Sequence, residues 1–332
     1  MQPYTVVMVS KMRQTAAWLV AAGFLLTWAP ACRSGATGGS ENIDVALLSE
    51  SASIQPGRPF RIGLHMKMKD GWHTYWKHPG DAGLPLRIEW TLPPGFTAGP
   101  IEWPAPEPIP TGDLMSYGYG HEVLLAVTIT PPARVATDSA RIGGAFDWLE
   151  CKEACLAGSA QLDVTLPVRP EPPPRGRSAP LFDRARARLP RMPEGWVLTA
   201  TAGPRAIELR FQPPSGIRPS GGTFFVEEPL VVEHGAAQGF EPSAGGYRLT
   251  LVPAANAANP PQRLTGVLVL NGVDRRKGSA VAVNVVAAPG DPSPAPPQSP
   301  KRNWPPVPLY ATLVALVGIV VVVALRRRAA RP

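Results

Sequence analysis

Two cysteines four residues apart, Cys151 and Cys155, carry the most distinctive chemistry in the chain, inside the stretch Trp148-Leu149-Glu150-Cys151-Lys152-Glu153-Ala154-Cys155. The third cysteine, Cys32, sits at the edge of an apolar N-terminal segment. A Cys-x-x-x-Cys pair closes a disulfide when its members face each other across a hairpin with a three-residue loop. Opposed strand residues have Cα atoms roughly 4.5–5.5 Å apart, inside the window that a disulfide requires. The flanks favour strands. Residues 145–149 carry aromatics, and residues 160–166 alternate apolar and polar with period two. A helix would also bring residues i and i+4 together, but Gly158 and the alternation after it argue against one. The spacing predicts a hairpin disulfide and leaves its role open. Closing so short a loop removes on the order of 2 kcal/mol of unfolded-state entropy, against about 5 kcal/mol for a hundred-residue loop. A structural staple in an exported protein and a thiol–disulfide exchange couple both fit these residues.

The elements that must position such a pair read as strands. Of 332 residues, 42 are proline and 32 glycine, more than a fifth together, and charged residues are only 17%. That composition suits an all-β chain with many turns. The net charge of +8 does not mark a nucleic-acid surface. Six of the 33 basic residues (Lys11, Arg13, Arg326, Arg327, Arg328 and Arg331) flank the apolar termini, so 27 remain against 25 acidic residues, or +2 over residues 32–308. Lys11 and Arg13 precede the apolar run 16–28 and Ala29-Pro30-Ala31, which predicts a signal peptide over residues 1–31. Cys32, directly after it, raises lipidation, but Ala29-Pro30 makes a poor lipobox. Residues 309–325 are uncharged and end in three arginines; at 1.5 Å per residue they are just long enough for one membrane crossing, with residues 326–332 cytoplasmic. The expected location is therefore the inner membrane, single-pass, with the bulk periplasmic.

Between these ends, strand patterning is clearest at residues 60–68, where Ile62, Leu64, Met66 and Met68 share one face and Arg61, His65 and Lys67 the other. His65, Met66 and Met68, with His73 and His78 nearby, offer ligands of the type Cu(I) takes. The alternation assigns both methionines to the core and scatters the histidines, so no metal site is assigned. Residues 167–176 form a proline-rich run, and 181–189 form a short helix that packs Leu181, Phe182, Ala185 and Leu189. Six further short strands follow, over 196–201, 207–211, 223–226, 247–252, 264–270 and 280–286. Residues 289–308 hold nine prolines in 20 positions, a semi-rigid stalk.

The stretch Gly71-Trp72-His73-Thr74-Tyr75-Trp76-Lys77-His78-Pro79-Gly80-Asp81-Ala82-Gly83-Leu84-Pro85 reads on its own as an aromatic strand broken by a turn. Taken with 90–96, 99–106, 117–120, 148–155 and 160–167, it resembles the DsbD N-terminal (alpha) domain family of thiol–disulfide interchange proteins, in its copper-sensitivity-suppressor version. The resemblance covers about residues 44–168. It implies that Cys151 and Cys155 are the redox couple, with Cys155 forming the mixed disulfide. It also implies a cap loop, placed here around Asp113 and Tyr117. After the second cysteine this chain has Leu156-Ala157-Gly158 where the family usually has proline and acidic residues.

The expected architecture is all-β: two immunoglobulin-like β-sandwich domains in tandem plus one C-terminal transmembrane helix. The expected boundaries are a redox sandwich at 42–168, linker and helix at 169–194, and a second sandwich at 195–288. The resemblance implies partners of two kinds: a thioredoxin-like or DsbD-type membrane reductase, and periplasmic client proteins. No cofactor and no nucleic acid are expected. There is no Cys-x-x-Cys, phosphate loop or Gly-x-Ser-x-Gly element. The competing expectation is a non-catalytic periplasmic scaffold with a structural disulfide, serving metal tolerance or cytochrome c maturation.

Overall fold

A computed structural model describes residues 37–192, 194–257, 259–273 and 279–290. The signal peptide, Cys32, the 309–325 span and most of the stalk lie outside them. Among the described residues no helix is long and apolar enough to cross a membrane.

The first half of the chain builds a β-sandwich from β1 (Thr37–Gly39), β2 (Ile43–Ser49), β3 (Phe60–Met68), β4 (Thr74–Gly80), β5 (Arg87–Thr91), β6 (Thr97–Glu102), β7 (Glu107–Thr111), β8 (Leu114–Tyr119), β9 (Glu122–Thr130), β10 (Ser139–Cys151) and β11 (Cys155–Pro167). One sheet has the order β1-β2-β3-β9-β6; facing it are β11-β10-β5 and β4-β8-β7. The last two are stitched together by a backbone bridge between His73 and Cys151. The core between the layers contains Ile62, Leu64, Met66 and Met68, the face that alternation assigned to it, with Trp76, Phe146 and Trp148 from the opposite layer.

β3 is covered on both faces. Helix α1 (Ala179–Ala187) lies against β9, and Phe182 and Ala185 close over Leu124 and Ala126. A Cβ on Gly63 would lie 2.8 Å from Leu124 and 3.1 Å from Phe182, so glycine is what lets the helix approach. Pro180 falls in its first turn, where a missing N–H costs nothing. The proline-rich run ahead of the helix is docked on the first sandwich: Ala52 N–H donates to Pro174 O (2.9 Å) and Gly176 N–H to Glu50 O (2.7 Å). Arg186 reaches Glu50 as well, at 2.5 Å. The proline-rich segment expected as a linker therefore uses its backbone groups locally, as such a chain does when a neighbouring edge offers partners.

A second sandwich follows from β12 (Val197–Ala202), β13 (Ile207–Gln212), β14 (Gly221–Val226), β15 (Gly239–Ser243), β16 (Gly246–Leu251), β17 (Arg263–Asn271) and β18 (Ala280–Pro289). Its strand order is β14-β17-β18-β12-β13-β16-β15. β18 serves two neighbours: residues up to Val286 pair antiparallel with β17, and Ala287–Pro289 pair parallel with β12. The six expected strands are present, and β15 is the addition. Phe225, Val267 and Ala280 join the apolar cluster of the first sandwich, so the two units share an apolar contact.

Candidate functional site

The two cysteines sit at the tip of one long hairpin. β10 and β11 pair residue for residue from Ser139↔Pro167 to Cys151↔Cys155, and Lys152-Glu153-Ala154 forms the exposed loop. The Cα atoms of the pair are 4.2 Å apart and the sulfurs are bonded at 2.08 Å. The two ends differ in access. Cys151 is 1% exposed, whereas Cys155 is open to solvent.

Specific contacts fix the tip to the body of the sandwich. His73 and Cys151 exchange both backbone hydrogen bonds at 3.0 Å. Thr74 Oγ1 donates to Leu149 O at 3.0 Å. Glu150, 1% exposed, accepts from Ser40 Oγ (2.5 Å), Asn42 Nδ2 (2.9 Å) and Trp148 Nε1 (3.0 Å). A carboxylate is tolerated at such depth because three donors replace its water.

Tyr75 supplies the polar group at the sulfurs. Its buried hydroxyl donates to Cys151 Sγ at 2.7 Å and lies 3.5 Å from Cys155 Sγ. Burial pushes the Tyr75 phenol up, with a smaller opposing effect from the Ser116 hydroxyl, so it stays a donor near neutrality. His73 stands opposite Cys151 in the strand register, edge-on to the Tyr75 ring with centroids 5.3 Å apart. Burial lowers the His73 pKa, and its Nε2 is buried without a hydrogen-bond partner. The imidazole next to the couple is therefore neutral and apolar in effect.

The expected cap residues are not what covers this arrangement. Asp113 occupies the exposed turn between β7 and β8. Along β8, Gly118 is paired with Tyr75, so alternation turns Tyr117 to the opposite face. There the Tyr117 ring meets Phe225 edge-on at 4.9 Å and His234 at 5.2 Å. Burial pushes the Tyr117 phenol pKa well up, with a smaller push from Asp81. The covering segment is Asp81-Ala82-Gly83. A Cβ on Gly83 (φ +118°) would lie 2.3 Å from Tyr75 Cδ1 and Cε1, so this backbone rests directly on the phenol ring. Asp81 N–H donates to Met115 O (3.0 Å), Met115 N–H to Asp81 Oδ2 (2.8 Å), and Ser116 Oγ to Ala82 O (3.2 Å).

The remaining histidines are scattered. His65 pairs with Glu122 at 2.6 Å beside helix α1, and His78 lies 5.5 Å from His234, between ring centroids. Among the described residues no group of three His, Cys, Asp or Glu side chains is arranged to hold a metal ion. Sequence reasoning missed Tyr75, Glu150 and Gly83 as site residues. For Tyr75 and Gly83 the signal was the aromatic strand and its Pro-Gly-Asp-Ala-Gly turn, which begins six residues after His73, whose pairing with Cys151 no local pattern encodes.

Residues 44–167 match the family described as thiol:disulfide interchange protein DsbD, N-terminal. The fold is similar to that of the N-terminal periplasmic domain of ScsB from Proteus mirabilis, at 18% identity and a TM-score of 0.57, over 76% of this chain and 95% of that one. Two other solved structures align over most of their length: domains 5–6 of the S-layer protein SbsC (10% identity, TM-score 0.20, 76% of this chain and 99% of that one) and a protein of unknown function from Porphyromonas gingivalis W83 (11%, 0.21, 73% and 99%). Their scores are too low to carry an argument. No curated protein sequence matches the chain.

Proposed function

Residues 44–167 belong to the DsbD N-terminal domain family, and from that premise we propose that the chain is a thiol–disulfide relay whose working couple is Cys151–Cys155. The observation that carries the reading is the asymmetry of the pair. Cys155 Sγ is on the open side, while Cys151 Sγ is buried and accepts the Tyr75 hydroxyl. A thiolate from a thioredoxin-like dithiol attacks Cys155 Sγ in line with the S–S bond. A new bond joins the partner sulfur to Cys155, the Cys151–Cys155 bond breaks, and its electron pair leaves on Cys151 as a thiolate. The Tyr75 hydrogen bond strengthens as that charge develops. The partner's second thiolate then displaces Cys155, so the partner leaves as a disulfide and this chain holds two thiols. Reversal of the same steps on a client disulfide passes the two electrons on.

Placement follows the same reading: an exported, single-pass protein whose ectodomain meets its partners in the periplasm. The expected crossing at 309–325 contains no cysteine, and on this reading the reducing equivalents reach the couple from a thioredoxin-like or DsbD-type membrane reductase. Reporter fusions after residues 300 and 332 should report opposite sides of the membrane; equal periplasmic activity from both would overturn this topology.

The relay is tested by trapping. Cys151→Ser should leave Cys155 able to hold a thioredoxin-like partner as a mixed disulfide that dithiothreitol releases, and Cys155→Ser should lose most of the adduct. A couple that stays oxidised with every thioredoxin-like donor, in a protein whose serine variants keep full biological activity, would leave the scaffold reading in its place.

A further inference from the structure

One carboxylate ties the segment over Tyr75 to both sandwiches. Asp81 Oδ2 accepts from Met115 N–H within the first sandwich, and Asp81 Oδ1 pairs with His234 Nδ1 of the second, each at 2.8 Å. His234 lies in the turn after β14. That turn is fixed by Glu233 N–H donating to Val252 O (2.9 Å) and by a bridge between Val232 and Pro253. The His234 side chain is 8% exposed, packed between the rings of Tyr117 and His78. Its ring is therefore placed by packing, and its Nδ1 is aimed at Asp81. Two residues beyond Asp81, Gly83 presses on the phenol that donates to Cys151 Sγ. The loop it holds has two positive-φ glycines, Gly80 (+81°) and Gly83 (+118°). Such a backbone has many alternatives in its free state, and a fixed contact at Asp81 selects among them.

We infer that His234 is a positioning residue for the redox couple: through Asp81 it holds segment 81–83 down on Tyr75 and so keeps the phenol hydroxyl on Cys151 Sγ. A sandwich that carries no cysteine thereby completes the site in the one that does. This rests on the interchange reading in taking Cys151 as the sulfur that leaves. Once reduced, Cys151 can ionise, and its thiolate accepts a stronger hydrogen bond than a disulfide sulfur, so holding the hydroxyl in place favours the reduced couple through that ionised form. The Lys77–Glu227 ion pair (2.7 Å) joins the same two sandwiches but ends on β4 rather than on the loop, which makes it the natural control.

The test is the redox equilibrium of the full-length protein with oxidised and reduced glutathione, read as the fraction of Cys151–Cys155 reduced. Tyr75→Phe should shift the equilibrium constant toward the disulfide by about fivefold, the net scale of one buried hydrogen bond. His234→Ala should shift it in the same direction by a similar factor, and should add nothing in the Tyr75→Phe background. His234→Asn, whose amide N–H can take the place of Nδ1–H, should recover most of the loss, and Lys77→Met should change nothing. Asp81→Ala breaks the same contact from an exposed loop and should behave as His234→Ala if the latter fails to fold. The inference is overturned if His234→Ala and Asp81→Ala leave the equilibrium unchanged while Tyr75→Phe moves it, if the effects of His234 and Tyr75 add, or if Lys77→Met shifts it as far. None of these readings needs a protein partner. Failure to exchange with a thioredoxin-like donor, alongside the expected glutathione results, would sink the relay and leave the positioning role standing.

Discussion

Gly158 lies directly against the indole of Trp148, so closely that a Cβ on residue 158 would sit 2.3 Å from Cε2 and Nε1 of the ring. The two are register partners across the hairpin, three pairs below the disulfide. Gly158→Ala must push the indole aside, and with it the Trp148 Nε1 hydrogen bond to Glu150. We expect a loss of about 1–3 kcal/mol, the usual cost of forcing extra volume into a packed site. A denaturant titration checks it; an unchanged midpoint would mean that the ring has room to move.

Glu150 should separate charge from shape. Glu150→Ala strands the buried donor Trp148 Nε1 and the half-buried donors Ser40 Oγ and Asn42 Nδ2; an unmet buried donor costs about 1–3 kcal/mol, and one that water can reach costs less. We expect a loss of about 2–3 kcal/mol. Glu150→Gln keeps one acceptor oxygen and should lose clearly less. Thermal unfolding of the two variants side by side decides the ranking.

The Tyr75 hydroxyl should be visible in the acidity of the buried thiol. In a Cys155→Ser background, Cys151 is free to ionise, and Tyr75→Phe removes the donor 2.7 Å from its sulfur. The Cys151 pKa should rise by about one unit, since a hydrogen bond to a charged acceptor contributes about 1.5–3 kcal/mol and part of it is shared with the neutral thiol. Thiolate absorbance against pH measures it directly.

Acid sensitivity should begin at the histidines. Burial lowers the pKa of His73, and burial followed by the neighbouring His234 lowers that of His78. Both stay neutral in the folded chain at pH values where the unfolded chain, titrating near 6.5, takes up protons. The unfolded state then binds more protons, so stability falls as pH drops below about 6.5 and levels off only at the lower folded pKa values. The lowered pKa of Glu122, held chiefly by its hydrogen bond to His65, acts further down, below the ordinary carboxylate range near 4.5. Unfolding midpoints between pH 7.5 and 5 should therefore slope, and His73→Gln should flatten part of that slope.

The hairpin and its disulfide were legible because both are local: thirteen residues on either side alternate in register, and the spacing of the cysteines sets the turn. The core face of β3 was legible for the same reason. What escaped is non-local. Nothing near Tyr117 says that its ring is spent on Phe225 and His234, more than a hundred residues away. Tyr75 looked like one aromatic among several until the His73–Cys151 bridge brought its strand beside the sulfurs. The docking of residues 170–176 was hidden because proline-rich sequence reports stiffness but not the edge it lies against. β15, Gly-Phe-Glu-Pro-Ser, lacks strand alternation and exists because β16 offers it a partner.

The parallel pairing of β18 has a mechanical consequence. Arg191, just ahead of the second sandwich, bridges Val281, and Ala200–Ala202 run alongside Ala287–Pro289 in the same direction. Chain enters at one end of this seam and leaves at the other. Tension applied between the two exits would load these cross-strand bonds together in shear, rather than peeling them one at a time. Under pulling, the second sandwich should hold as a unit and then yield abruptly, at a rate set by its unfolding barrier rather than by its equilibrium stability.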